Sequence, residues 1–206
     1  MLRFLGTIGT IGALVAGWPA DSKPVSRLAG ILPNKIDTGH QIDLEATVAC
    51  TPERSFAMWS TEAGAKSFFA PNAEIDDEPG GKYTVMFFPD EDPRGATHGT
   101  EGAHVLATEP PTFLAFEWVV FSANHTKGRN APPYAPEGVR RPGILPTWVE
   151  LSFAAVDGGT HITFRHFGFK DDALWEQSRQ WFTGAWGGVL TQMKVTCENS
   201  HESSSD

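Results

Sequence analysis

The stretch from Trp148 to Met193 constrains the fold more than any other part of the chain. It reads TWVELSFAAV and THITFRHFGF, joined at Asp157-Gly158-Gly159 and followed at once by DDALWEQSRQWFTGAWGGVLTQMKV. In the first segment Val149, Leu151 and Phe153 alternate with Trp148, Glu150 and Ser152. In the second, Ile162, Phe164 and His166 alternate with His161, Thr163 and Arg165. A two-residue period with one mostly apolar face specifies half-buried antiparallel strands, and the glycine pair supplies the permissive backbone that closes a hairpin. The third segment opens on a capping acid, Asp171 or Asp172, and sets Phe182, Trp186, Val189 and Met193 at helical spacing. Gly184, Gly187 and Gly188 lower its intrinsic propensity, so this helix must be stabilised by packing. The nearest apolar surface is the inner face of the sheet.

The upstream chain supplies the rest of that sheet. From His40 to Cys50, Ile42, Leu44, Ala46 and Val48 alternate with Asp43, Glu45 and Thr47, a strand with one wet face. Thr51-Pro52-Glu53 starts a helix with a capping hydroxyl, a proline at the first position and an acid in the first turn. Phe56 and Trp59 face inward from it, and a second short helix carries Phe68 and Phe69 before Pro71. Gly80-Gly81 then opens KYTVMFF, with Tyr83, Val85 and Phe87 on one face. A strand from about Glu101 to Ala107 ends at Pro110-Pro111, and FLAFEWVVF puts Leu114, Phe116, Trp118 and Val120 on one side. The order indicates an α+β fold with helices on one side of an antiparallel sheet. With 206 residues, 40% of them hydrophobic, the chain can bury the core of one domain. Between Ser122 and Pro146 the density of proline and glycine excludes a regular element and leaves two readings, a lid over a site or a surface insertion.

Charge and targeting signals narrow the partners. A formal net charge of -9 with scattered Lys and Arg argues against a nucleic-acid surface and against an acidic membrane surface. Met1-Leu2-Arg3 followed by the uncharged run Phe4–Gly17 has the form of a secretory signal peptide, too short for a stable membrane span. The glycines at 6, 9 and 12 dilute the run, and the alternative is a frayed extension on a cytoplasmic protein. The expected organisation is therefore a signal peptide over 1–20, a linker over 21–39, one domain over 40–197 and a disordered tail over 198–206, with export to the periplasm or medium. Cys50 and Cys197 remain open between a disulfide, which an oxidising compartment would allow, and two free buried thiols, the simpler expectation.

These segments also resemble a known family. ATVACTPERSFAMWST, FFAPNAEIDDEPGGKYTVMF, GTEGAHVLATEPPTFLAFEW, the Thr-Trp-Val strand, GGTHITFRHFGF and WFTGAWGGVLTQM are similar, in order, to the START-like SRPBCC superfamily. The resemblance is to the group like the C-terminal domain of the activator of the 90-kDa heat-shock protein ATPase, and it covers about Ile42 to Met193. It implies a helix-grip fold, in which a curved antiparallel sheet wraps a long C-terminal helix with a cavity between them. Members include lipid-transfer domains, polyketide cyclases, oxygenase domains and co-chaperones, so the fold does not fix the activity. The additional N-terminal domain of the eukaryotic co-chaperone has no counterpart here, and the Ser122–Arg129 segment is longer than the family pattern.

The alternation turns Phe87, Trp118, Phe164 and His166 toward the helix, where Trp59, Phe182 and Trp186 join them. Such rings can line an apolar pocket or fill it. His166 is the candidate polar group there, able to orient a ligand or move a proton, with a satisfied core histidine as the alternative. Glu101, flanked by Gly99 and Gly102, is the second candidate, and its plainer reading is a solvated carboxylate. No metal-ligand spacing, Gly-x-Ser-x-Gly elbow or phosphate cradle is present, so neither a metal nor a cofactor is expected. Three functions follow: a binder of an apolar or aromatic small molecule held by Trp59, Phe87, Glu101, Trp118, Phe164, His166, Phe182 and Trp186; a cyclase or hydratase with His166 as general base; and a protein-interaction module.

Overall fold

The computed structural model describes residues 26–29, 31–32, 38–119 and 147–202. Strand β1 (Ile42–Val48) is followed by helices α1 (Pro52–Ser60) and α2 (Glu62–Phe68), and then by β2 (Asn72–Ile75), β3 (Tyr83–Met86), β4 (Val105–Glu109) and β5 (Phe113–Trp118). The chain returns in β6 (Thr147–Val156) and β7 (Gly159–Phe167) and ends in α3 (Ala173–Glu202). The five-stranded sheet runs β1-β7-β6-β5-β4, antiparallel throughout, while β2 and β3 form a second, two-stranded sheet. Backbone bonds from Gly80 to Val105 and from Tyr83 to Ala103 join β3 to the free side of β4. This is the helix-grip arrangement: the sheet curves around α3, with the two short helices between β1 and β2.

Local chemistry sets the boundaries. Thr51 accepts from the Arg54 amide and Pro52 takes the first helical position, so α1 begins where a hydroxyl cap and a proline allow it. Asp172 caps α3, its carboxylate accepting from the Leu174 and Trp175 amides. The hairpin turns at Asp157-Gly158, with Val156 paired to Gly159 and Gly158 at a φ of 77°. A Cβ on Gly159 would lie 2.0 Å from the Val48 carbonyl oxygen, so the edge strand approaches only because no side chain is there.

The main core lies between the inner sheet face and the helices. Ile42 and Val48 from β1, Leu114, Phe116 and Trp118 from β5, Val149, Leu151 and Phe153 from β6, and Ile162 and Phe164 from β7 are buried. Phe182, Trp186, Leu190 and Met193 meet them from α3. Tyr83 stacks on Phe116 at 3.7 Å between ring centroids and donates its hydroxyl to the Trp59 carbonyl. Burial raises the Tyr83 pKa and keeps that proton in place.

The structure departs from the sequence reading in five places. First, the cysteines pair: Cys50 and Cys197 form a disulfide that ties the end of β1 to the end of α3. The sequence left this open, with free thiols the simpler expectation because pairing depended on export; the return of α3 along the sheet brings together two residues 147 positions apart. Second, the 21–39 stretch is not wholly a linker. Ser26 and Leu28 are buried on the outer sheet face, Leu28 among Phe113, Ala115, Trp148 and Phe167. Ser26 Oγ and the Arg27 amide donate to the Glu150 carboxylate, which also accepts from the Trp148 indole, and the Arg27 guanidinium lies 3.8 Å from the centre of the Phe113 ring. The outer face is therefore covered around Phe113, Ala115, Trp148 and Phe167, and both Trp148 and Glu150 are buried. Third, β2 was unforeseen; NAEI has too few residues to show a period. Fourth, β4 starts at Val105, because Gly102, at a φ of 85°, keeps the preceding residues in a turn that includes Glu101. Fifth, α3 continues to Glu202 and so takes in the first residues of the expected tail. The 1–20 segment and the 122–146 loop with its lid reading lie outside the described residues.

Candidate functional site

The inner ends of β5, β6 and β7 converge where the chain leaves β5 after Trp118 and re-enters the sheet at Thr147. Trp118 pairs with Thr147, and His166 on β7 pairs with Val149 on one side and Ile42 on the other. The two-residue period puts Trp118, Phe164 and His166 on the inner face. From the helix side, Phe182 and Trp186 fall four apart on the buried face of α3, and Trp59 enters from the last turn of α1.

These rings form a continuous wall. Trp186 lies 4.7 Å from Trp118, 4.7 Å from Phe164 and 6.0 Å from His166, centroid to centroid. Trp59 touches Phe116, Phe164 and Trp186. Phe69, just beyond α2, links the wall to the surface: it is half-buried and contacts Trp59, Trp118, Trp186 and the half-buried Phe87. Six of the expected residues, Trp59, Trp118, Phe164, His166, Phe182 and Trp186, are thus together, and Phe87 reaches them through Phe69. The sequence reading placed Phe69 on the second helix without assigning it to the wall. Its position as the last ring before Pro71, where the helix must stop and the chain turn inward, was the available signal.

Glu101 is not part of this group. It lies in the turn before β4, where its carboxylate pairs with Arg94, and its side chain is a third exposed. Among the described residues its contacts are therefore with the β3–β4 connection and not with His166. This agrees with the plainer reading of Glu101 as a solvated carboxylate.

His166 is fully buried, with Phe169, Phe182 and Trp186 edge-on to its ring. Its Nδ1 lies 3.1 Å from the Trp186 indole nitrogen. An indole N–H only donates, so Nδ1 accepts, and the imidazole proton resides on Nε2. Burial lowers the His166 pKa from 6.5 to about 3, so the ring is neutral at physiological pH. One nitrogen has its lone pair engaged and the other carries a hydrogen. His166 therefore stands as a hydrogen-bond donor into the core, and it has no free lone pair with which to act as a general base. Its Nε2, and the Nε1 of Trp118, have no hydrogen-bond partner among the described residues.

Two further features bear on what the molecule can bind. A half-open groove of about 270 Å³ lies between the β1 edge and α3, lined by Leu44, Ala46, Gly187, Leu190 and Lys194 among others. Among the described residues no group of three His, Cys, Asp or Glu side chains is placed to hold a metal ion, and no helix is long and apolar enough to cross a membrane.

Comparison with known proteins follows the same architecture. The family described as Activator of Hsp90 ATPase homolog 1-like protein matches residues 49–198. No curated protein matches the chain. Among solved structures, a protein from Mesorhizobium loti is similar with a TM-score of 0.57 at 12% identity, over 78% of this chain and 98% of that one. The Aha1 dimer from Colwellia psychrerythraea is similar at 0.54 and 13% identity, over 77% and 96%. DynU16, a protein in the dynemicin biosynthetic locus, is similar at 0.54 and 11% identity, over 78% of this chain and 48% of that one. At these identities the likeness is one of fold.

Proposed function

This chain belongs to the activator of Hsp90 ATPase homolog 1-like family, and from that premise we propose that it binds an apolar or aromatic small molecule between the sheet and α3, at the Trp118–His166 end. The observation that carries the reading is the ring path from the surface inward. Phe87 and Phe69 are half-buried, Phe69 touches Trp118 and Trp186, and Trp186 donates to His166. Flat ring faces along such a path suit an aromatic or alicyclic guest, and apolar walls with a few placed polar groups are the usual make-up of a small-molecule site. The family fold, common among binders of hydrophobic ligands, agrees with this.

A cyclase or hydratase is the weaker reading. The likeness to DynU16 speaks for it at the level of fold, but His166 in its present tautomer offers a donor where such a mechanism needs a base. Export is part of the proposal, and the Cys50–Cys197 bond supports it, because disulfides persist in oxidising compartments. Native mass spectrometry of the protein from its own cells, followed by denaturing extraction, tests the reading. A defined small molecule at one per chain is the expected result; a bare chain mass in repeated preparations, with no added aromatic compound retained, would overturn it.

A further inference from the structure

The rings alone say that a ligand is apolar, whereas the two N–H groups among them say more. His166 Nε2 and Trp118 Nε1 are both buried, both donors and both without a partner among the described residues. They flank the same ring, Trp186, whose own N–H is spent on His166 Nδ1. An unmet donor in an apolar interior is costly, which is why buried polar atoms are nearly always paired. The Nδ1 of His166 is used by the core, to accept from Trp186, whereas its Nε2 hydrogen is left over.

We infer that the ligand of this site carries a neutral hydrogen-bond acceptor, a carbonyl-type oxygen on an aromatic or alicyclic frame, which receives the Nε2 hydrogen of His166, the Trp118 indole N–H being a second unmet donor beside the same Trp186 ring. The inference rests on the ligand site proposed above. An anionic acceptor is disfavoured, because among the described residues those around His166, namely Phe169, Phe182, Trp186 and the paired Val149 and Ile42, hold no positive charge to accompany a carboxylate into the core. His166 itself stays neutral at physiological pH. The acceptor also explains why the Trp186 bond matters: it fixes the tautomer and so turns a hydrogen, not a lone pair, toward the guest.

Matched probes separate this inference from the one it rests on. Fluorene and 9-fluorenone, and ethylbenzene and acetophenone, share a frame and differ by the oxygen. Affinities for the full chain are read by tryptophan fluorescence and calorimetry, with the His166 and Trp118 ring N–H resonances followed by NMR. The ketone of at least one pair is expected to bind about tenfold or more tightly than its hydrocarbon and to move the His166 Nε2–H resonance. His166→Phe should shrink the ratio of the two affinities, and His166→Gln, which keeps a donor, should restore part of it. Equal binding of both members of each pair in the wild-type chain, with unmoved N–H resonances, would overturn the acceptor inference and leave the apolar site standing. Binding of none of the four would overturn both. The resonance shift is measured on the wild type, so a variant that fails to fold does not remove the test.

Discussion

At the scale of single residues, His166 shows what a period can and cannot say. The alternation along β7 puts it on the inner face, and there it is, at 0% exposure. Its chemistry was not legible, because the role of each ring nitrogen depends on Trp186, twenty positions away on another element. Glu101 shows the converse: the solvated carboxylate that its surroundings suggested is found, but in a turn beside a left-handed glycine and not on a strand. The burial of His166 has a measurable signature. Its folded pKa, about 3, lies below the 6.5 of an unfolded histidine, so on acidification the unfolded chain takes up this proton first. The stability due to the neutral ring is therefore whole above about pH 6.5 and is lost as pH falls from there toward 3, at up to about 1.4 kcal/mol per pH unit. Urea unfolding at pH 7, 6 and 5 should show the wild type losing stability more steeply than His166→Leu. Parallel profiles would mean that the histidine is solvated.

At the scale of elements, the hairpin, the capped helices and α3 could be read because each is long enough to show its period and is bounded by its own turn chemistry. Two pieces could not. β2 is four residues long, and the segment at 26–29 and 31–32, a strap across the outer sheet face, has no period at all; it is placed by what it meets. The cue lay in β6 itself, where Trp148 and Glu150 occupy positions that a solvated face would give to smaller or simply charged residues. Since Leu28 closes a cluster containing Trp148 and Phe167, Leu28→Ala should destabilise the domain by about 2 kcal/mol. Ser26→Ala should cost about 1 kcal/mol by removing a donor from the buried Glu150 carboxylate. Chemical denaturation of the two variants checks this, and values within error of zero would show the strap to be dispensable. A chain cut before Cys50 would lose the strap and the edge strand together, so deletion is the less informative experiment.

At the scale of the whole molecule, the helix-grip architecture was accessible from element order and from the family resemblance, whereas the covalent closure was not. Spacing cannot report that the first strand and the last helix end side by side. The Cys50–Cys197 bond spans 147 positions, and in the chain-entropy picture closing so long a loop stabilises the folded state by up to about 5 kcal/mol, with about 2–4 kcal/mol more usual in practice. Unfolding in urea with and without reductant, beside the Cys50→Ala/Cys197→Ala double variant, should show a loss in that range. Amide exchange in the intact protein should be slower around Leu190–Cys197 than around Ala173–Phe182, and reduction should narrow the difference. The bond also distinguishes the two ends of α3. Trp186 and Cys197 are about 16 Å apart along the axis of α3, and the pinned end is the one away from His166. The sheet and α3 are thus cross-linked at the Cys50–Cys197 end, whereas at Phe182 and Trp186, where the proposed guest would lie, side-chain packing holds them together.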